Sequence, residues 1–309
     1  MSKHVDYDLV IIGGGPAGLT AGMYAARARL NVILIEKQAP GGQVLVTDWV
    51  ENYPGFPEGL TGTNLVSKMT EQAKRFELPI EINEVISLDF SEPVKQIQLT
   101  DKTLRAHAVI IATGSSPRKT GVPGEDRFFG KGISSCATCD APFYKDRVVA
   151  AVGGGDTAVQ ESLYLTKFAK KVYLIHRRDA LRATKILQER ALANDRIEIL
   201  WDTVLTGVDG FFNLDKVSVK NVKTGEASAL SVDGCFIWIG MLPNTGFVNG
   251  CVDTDENGFI VTDAALQTSV PGVFAAGDVR NTPLRQIATS VGDAALAATS
   301  AEHYVERVK

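Results

Sequence analysis

The chain has little of what would make it a metal protein, a membrane protein or a nucleic-acid binder. It holds four cysteines and four histidines in 309 residues. The histidines (His4, His107, His176, His303) are scattered, and Cys235 and Cys251 are separated by fifteen intervening residues. A structural zinc site wants four ligands, usually from two close pairs, so no metal is expected. No apolar run reaches the ~18 residues that a spanning helix needs. The start, MSKHVDYDLVIIGGG, lacks the basic head and long apolar middle of an export signal, so a cytoplasmic location is expected. Lys and Arg total 32 against 36 Asp and Glu, a net charge of −4. That balance argues against nucleic acid or an anionic membrane as the main partner.

What is present is a repeat. Asp8 to Lys37 aligns without a gap on Val148 to Arg177, at an offset of 140. Gly13 meets Gly153, Gly15 meets Gly155, Gly18 meets Ala158 and Glu36 meets His176. Each segment reads as apolar strand, glycine turn, helix and second apolar strand. The first glycine permits a tight turn, the second lets backbone approach a diphosphate, and the third position must be small for helix and strand to pack. A diphosphate on such a turn rests on the free N–H groups of the helix start. Two gapless copies make a much stronger signal than one glycine triplet.

The copies part company at the end of the second strand. Glu36 offers a carboxylate to ribose hydroxyls, which suits FAD. The second copy has His176, Arg177 and Arg178, with Arg182 one turn on. Guanidinium groups can grip a 2′-phosphate bidentately, which suits NADPH.

Around these units, Ser87 to Arg118 reads as β-meander strands followed by an apolar strand ending in Ala112, Thr113 and Gly114. A second meander is expected from about Ile197 to Leu230, then an apolar strand, GCFIWIG, containing Ile239 and Gly240. The strand GVFAAGDV ends in Gly277 and Asp278, a carboxylate placed for a ribityl or ribose hydroxyl, and a helix is expected soon after Pro283. The fold class expected is α/β: two Rossmann-like nucleotide-binding domains, each three-layered with a parallel sheet plus β-meander, the second inserted into the first. The boundaries are residues 1–117 and 246–309 for an FAD-binding domain and 118–245 for an NADPH-binding domain. Both crossings carry Gly and Pro, as hinges often do.

SSCATCDAPFY places Cys136 and Cys139 three apart, with Asp140 next. By spacing alone the pair fits half a zinc site, a redox-active disulfide or two neighbouring thiols. A reducing cytosol favours a transient, catalytic disulfide, and a carboxylate beside a thiol can donate and accept protons.

The set GGGPAG (Gly13 to Gly18), CATCD (Cys136 to Asp140), GGGDTA (Gly153 to Ala158), HRRDALRA (His176 to Ala183) and AAGDV (Ala275 to Val279) resembles bacterial-type, low-molecular-weight thioredoxin reductases. GGQ at Gly41, VENYPGF at Val50, IATGS at Ile111 and RQIATS at Arg285 extend the resemblance along essentially the whole chain. It implies FAD, NADPH, a homodimer, and thioredoxin or a thioredoxin-like protein as substrate. It implies flavin contacts at Gly13, Gly15, Pro16, Ala17, Glu36, Lys37, Gly42, Gln43, Asn52, Val85, Ala112, Thr113, Gly114, Gly277, Asp278, Arg285, Gln286 and Ile287. Pyridine-nucleotide contacts fall on Gly154, Gly155, Asp156, Thr157, His176, Arg177, Arg178, Arg182, Ile239 and Gly240. Asp156 departs from the Asn of many relatives, and a carboxylate there must point away from a diphosphate. The resemblance gives Cys136, Cys139 and Asp140 the catalytic work, with Cys139 nearer the flavin and Asp140 moving the proton. The alternative is an FAD-dependent dithiol oxidase, or a reductase acting on another small redoxin or dithiol.

Overall fold

A computed structural model describes residues 4–309 except Asp48 and Asn249, and the side chains of these except Val46, Thr138 and Cys139. The chain forms two compact units, Met1–Ser116 with Leu242–Lys309, and Pro117–Met241.

The first unit opens with β1 (Tyr7–Ile12), α1 (Pro16–Arg27), β2 (Val32–Glu36), α2 (Gly62–Lys74) and β3 (Ile80–Ile82). It continues through β4 (Val85–Asp89), β5 (Lys95–Leu99) and β6 (Thr103–Ile111). The sheet order is β3-β2-β1-β6-β5-β4. β1, β2 and β3 run parallel, and β4-β5-β6 is an antiparallel meander. The nine residues of β6 serve both. Thr103–Ala106 pair with β5, whereas Ala106–Ile111 run parallel to β1.

From Leu9 to Ile12, β1 is an unbroken apolar run because both sheet faces are covered. Leu9 and Ile11 enter the core beneath α1, and Val10 and Ile12 enter the core on the other face. Successive residues of a strand point to opposite faces, so one strand supplies both cores.

The second unit is entered through β7 (Ser115–Pro117) and holds α3 (Glu125–Phe128), β8 (Ile133–Ser134), α4 (Ala137–Asp140), β9 (Val148–Gly153) and α5 (Asp156–Leu165). Then come β10 (Lys171–Ile175), α6 (Lys185–Leu192), β11 (Ile197–Leu200), β12 (Thr203–Asp209), β13 (Lys216–Asn221), β14 (Ala227–Ser231) and β15 (Gly234–Trp238). Five strands form a parallel sheet of order β11-β10-β9-β15-β8, and β12-β13-β14 form a separate antiparallel sheet.

The second meander therefore starts later than the sequence suggests. Ile197–Leu200 belongs to the parallel sheet, paired with β10, and the meander begins at Thr203. The break between them is Asp202, in the left-handed region at φ 51°. Asp tolerates that conformation better than most residues, so the chain turns there without a Gly or Pro to mark it.

The chain leaves through β16 (Met241–Pro243), then forms β17 (Val273–Ala275) and α7 (Ile287–Val308). β17 lies parallel to β6. α7 is the long Ala-rich helix expected after Pro283; its Ala294, Ala297, Ala298 and Ala301 are buried where it packs on α1. Among the described residues, no helix is long and apolar enough to cross a membrane.

Candidate active site

The two glycine turns are built alike. Gly13 has φ +103°, and a Cβ there would meet the carbonyl oxygen of Ala112 at 2.5 Å. Gly153 has φ +153°, and its Cβ would meet the carbonyl oxygen of Trp238 at 2.4 Å. Each turn is thus pressed against the strand beside it. At Gly18 a Cβ would fall 1.7 Å from the Gly13 carbonyl oxygen, so only glycine lets α1 approach β1 this closely. Gly15 and Gly155 are the opposite case, since a Cβ on either meets nothing within 4 Å. Both are N-caps whose helices lack any side-chain cap. An uncapped helix start with open space before it leaves N–H groups free for an anion.

The first turn gathers its neighbours. Glu36 Oε2 accepts from Gly14 N at 2.5 Å, and Oε1 accepts from Gln38 N at 2.8 Å. Gly41 N donates to Gly14 O at 2.8 Å, which brings Gly42 beside Gly15. Thr113 and Asn244 exchange bonds, Thr113 Oγ1 to Asn244 O and Asn244 Nδ2 to Thr113 O. Gly277, at φ +75°, lies against Ala17. Pro16 fills the first helical turn, where its missing N–H costs nothing. Gln43 is exposed just after Gly42. Lys37 reaches out to Glu84 at 2.5 Å, next to Val85.

The start of α7 adds a second group of expected residues. Asn52 Nδ2 donates to Gln286 Oε1 at 3.0 Å, and Gln286 closes a capping box with Thr289 ahead of Ile287. Asp278 accepts from Ser290 Oγ at 3.2 Å. Burial pushes its carboxyl up, opposed by the Ser290 bond and the Arg285 charge. The Arg285 guanidinium lies 4.0 Å from the Phe259 ring centroid, and its Nε is buried without a hydrogen-bond partner. A buried unpaired donor is rare and points to a missing partner.

The second turn carries the basic loop. Gly154 O accepts from Arg182 N at 2.7 Å and Ala183 N at 3.1 Å. Asp156 Oδ1 accepts from Thr184 N at 2.6 Å. The carboxylate that seemed out of place beside a diphosphate is therefore turned onto the loop, at the first residue of α5, beside Thr157. Arg177, Arg178 and Arg182 are exposed, and among the described residues none has a carboxylate partner. His176 differs from its three basic companions. Its ring lies beneath the turn, 4% exposed, rather than facing outward with them. Gly240, after Ile239, has φ +123° and open space at its Cβ, and its carbonyl accepts from Arg118 N.

The cysteine segment belongs to the same unit as this second turn. Cys136 is half-buried and disulfide-bonded, whereas Cys235 and Cys251 are free. The side chain of Cys139 lies outside the described residues. Two residues that the sequence reading passed over hold this segment. Ser134 Oγ accepts from Cys136 N at 2.9 Å, and Trp238 Nε1 donates to Ser135 O at 3.0 Å. A serine two residues ahead of a cysteine is a local turn signal; nothing local marks the tryptophan, about a hundred residues away. α4 is a single turn, so its dipole adds less than a long helix would. Burial drives the Cys235 thiol up to about 12, leaving it an inert core residue. Among the described residues, no group of three or more His, Cys, Asp or Glu could hold a metal ion.

The family model for pyridine nucleotide-disulphide oxidoreductases matches residues 7–297. A thioredoxin reductase of Peptoclostridium acidaminophilum is 44% identical over 306 residues, covering 97% of each chain. That of Bacillus subtilis (strain 168) is 44% identical, covering 100% of this chain and 98% of its own. The crystal structure of Lactococcus lactis thioredoxin reductase, 42% identical, covers 98% of this chain and 100% of its own at a TM-score of 0.95. Two glycine turns of one design, a disulfide-bonded cysteine in the unit of the second, and likeness over the full length lead to one conclusion: the chain belongs to the pyridine nucleotide-disulphide oxidoreductase family, among the thioredoxin reductases.

Proposed function

We propose that the chain is an NADPH-dependent flavoprotein that reduces the disulfide of thioredoxin or a thioredoxin-like protein. FAD is assigned to residues 1–117 and 246–309, and NADPH to residues 118–245. One observation carries the reading: a single unit holds a disulfide-bonded Cys136 and a glycine turn whose adjoining loop bears three exposed arginines, none with a carboxylate partner among the described residues.

The residues of the first turn fit FAD. Gly15 offers the open helix start for the diphosphate. Glu36 already accepts two backbone bonds, but a carboxylate has about four acceptor positions and can also take a ribose hydroxyl. Asp278, with Gln286 and Asn52, supplies polar atoms for the ribityl chain and ring. The unpaired Nε of Arg285 is a donor that a bound ligand can satisfy. FAD, when bound, supplies the two-electron chemistry that links a nicotinamide hydride to a sulfur–sulfur bond.

The second turn fits NADPH in the same way. Gly155 gives the diphosphate its helix start, and Arg177, Arg178 and Arg182 meet the 2′-phosphate. Reduction of the Cys136–Cys139 disulfide takes two electrons and two protons, and Asp140 moves a proton at the sulfur. One thiolate of the pair then attacks the partner's disulfide. A mixed disulfide forms, the second thiolate displaces it, and the partner leaves as a dithiol while the pair is oxidised again. Because the pair shares a unit with the residues assigned to the nicotinamide coenzyme, and FAD is assigned to the other, the disulfide and the nicotinamide would take turns at the flavin. Rotation about the crossings at β7 and β16 accomplishes this. The working form is a cytoplasmic homodimer.

Turnover with NADPH or NADH and a panel of purified redoxins tests the reading. NADPH with thioredoxin should give turnover. Cys139→Ser should abolish it while NADPH still bleaches the flavin. Retention of redoxin reduction by Cys139→Ser would remove the pair from the pathway.

A further inference from the structure

We propose that Lys223, on the hairpin turn between β13 and β14, is a specificity-determining positioning residue: it holds Asp179 away from the arginines of the coenzyme loop and so leaves them for the 2′-phosphate of NADPH. The inference rests on the NADPH reading above.

The loop HRRDALR carries one carboxylate among its three arginines. Asp179 follows Arg178 directly and stands three residues before Arg182. A carboxylate so placed can take a guanidinium for itself, since charge-assisted hydrogen bonds of that kind are among the strongest available. It also repels an incoming phosphate. Instead, Asp179 pairs with Lys223, whose Nζ lies 3.2 Å from Asp179 Oδ2 and 3.0 Å from Asp202 Oδ2. The bond from Lys223 holds the Asp179 carboxyl below the usual carboxylate range.

The hairpin turn is built to deliver this lysine. Asn221 Oδ1 accepts from Lys223 N at 2.9 Å and from Thr224 N at 3.0 Å, a side-chain turn of the kind Asn favours. Gly225, at φ +76°, then returns the chain. Val222 N donates to Asp202 O at 2.6 Å, and Asp202 N donates in turn to Arg178 O at 3.1 Å. Turn, Asp202 and arginine loop are thus joined in series through the backbone. Lys223 spans the same three with its side chain.

Other contacts fix the course of the loop. His176 fills the space that the missing Cβ of Gly154 leaves, and its Nε2 lies 2.9 Å from Ala180 O. Arg182 N and Ala183 N donate to Gly154 O, and Thr184 N donates to Asp156 Oδ1. Neither these contacts nor the bond from Asp202 N to Arg178 O uses the Lys223 side chain, so the loop keeps its place without it. What the lysine decides is which cation Asp179 takes. Asp156 shows a like arrangement at the start of α5, where a carboxylate near the glycine turn is also drawn onto a partner.

Steady-state kinetics of the holoenzyme with oxidised thioredoxin and either coenzyme test this. The Lys223 side chain is exposed, so its replacement leaves folding intact. Lys223→Met should raise the NADPH KM about fivefold, the upper end of what an exposed ion pair is worth, with kcat and the NADH KM within about twofold of wild type. Lys223→Arg should keep the wild-type values. Adding Asp179→Asn to Lys223→Met should bring the NADPH KM back to within about twofold of wild type, because the competing carboxylate is gone. A lysine that merely braced the loop would move both coenzymes together, and removing its partner would not rescue it. An unchanged NADPH KM in Lys223→Met, an equal rise for NADH, or a double variant that does not recover would overturn the proposal. A wild-type enzyme with the same KM for NADPH and NADH would instead remove the NADPH reading, and the proposal with it.

Discussion

At the scale of the residue, the glycines divide by what surrounds them. Gly18 has backbone 1.7 Å from where a Cβ would be, and Gly15 has nothing within 4 Å. Gly18→Ala should therefore overpack the helix–strand contact and cost about 1–3 kcal/mol or more of stability. Gly15, at φ −70°, tolerates a side chain sterically. Gly15→Ala should cost about 1 kcal/mol or less as a weakened cap, yet lower FAD affinity about tenfold or more, because the methyl enters the open space that the proposal assigns to the diphosphate. Thermal unfolding of the apoprotein and flavin titration separate the two effects. Equal stability losses with unchanged flavin binding would contradict the assignment. The sequence shows which positions must be glycine for a nucleotide turn, but not which are closed by backbone and which stand open. His176 is a similar case. Its place in HRRDALR marks it as basic and at the ribose end, but only the missing Cβ of Gly154 decides that its ring goes under the turn.

At the scale of the element, strand–turn–helix–strand units were legible because unbroken apolar strands and glycine turns announce themselves. The end of the parallel sheet was not. RIEILWDTVLTGV runs from β11 into β12 with no Gly or Pro at the break. A left-handed Asp202 makes that turn, and a single residue's φ leaves no periodic trace. Asp156 also needed the loop in view before its carboxylate could be given a partner, since Thr184 lies 28 residues on. The loop itself yields a sharp expectation. Arg177→Ala with Arg178→Ala should raise the NADPH KM about 100-fold or more, from the loss of two charged hydrogen bonds at about 1.5–3 kcal/mol each. The KM for NADH should change little. Steady-state kinetics with both coenzymes measure this, and a parallel rise for NADH would point to collapse of the loop instead.

At the scale of the whole molecule, the proposed reaction assigns one coenzyme to each of two units built around like glycine turns. The outer unit is discontinuous in sequence because the other is inserted into it, and the chain passes between them at β7 and β16. The proposed alternation of nicotinamide and disulfide at the flavin requires that these connections bend. An engineered crosslink between the units should leave one half-reaction working and stop turnover, and its reduction should restore the rate. Normal turnover in the crosslinked form would rule out the rotation while leaving the order of electron transfer intact. That order is the central claim, and anaerobic stepwise titration of the purified protein tests it most directly. The protein should be yellow, NADPH should bleach it, and oxidised thioredoxin should then restore the colour while two thiols appear on the thioredoxin. A protein that binds no flavin, or a bleached flavin that oxidised thioredoxin leaves unchanged, would contradict the account.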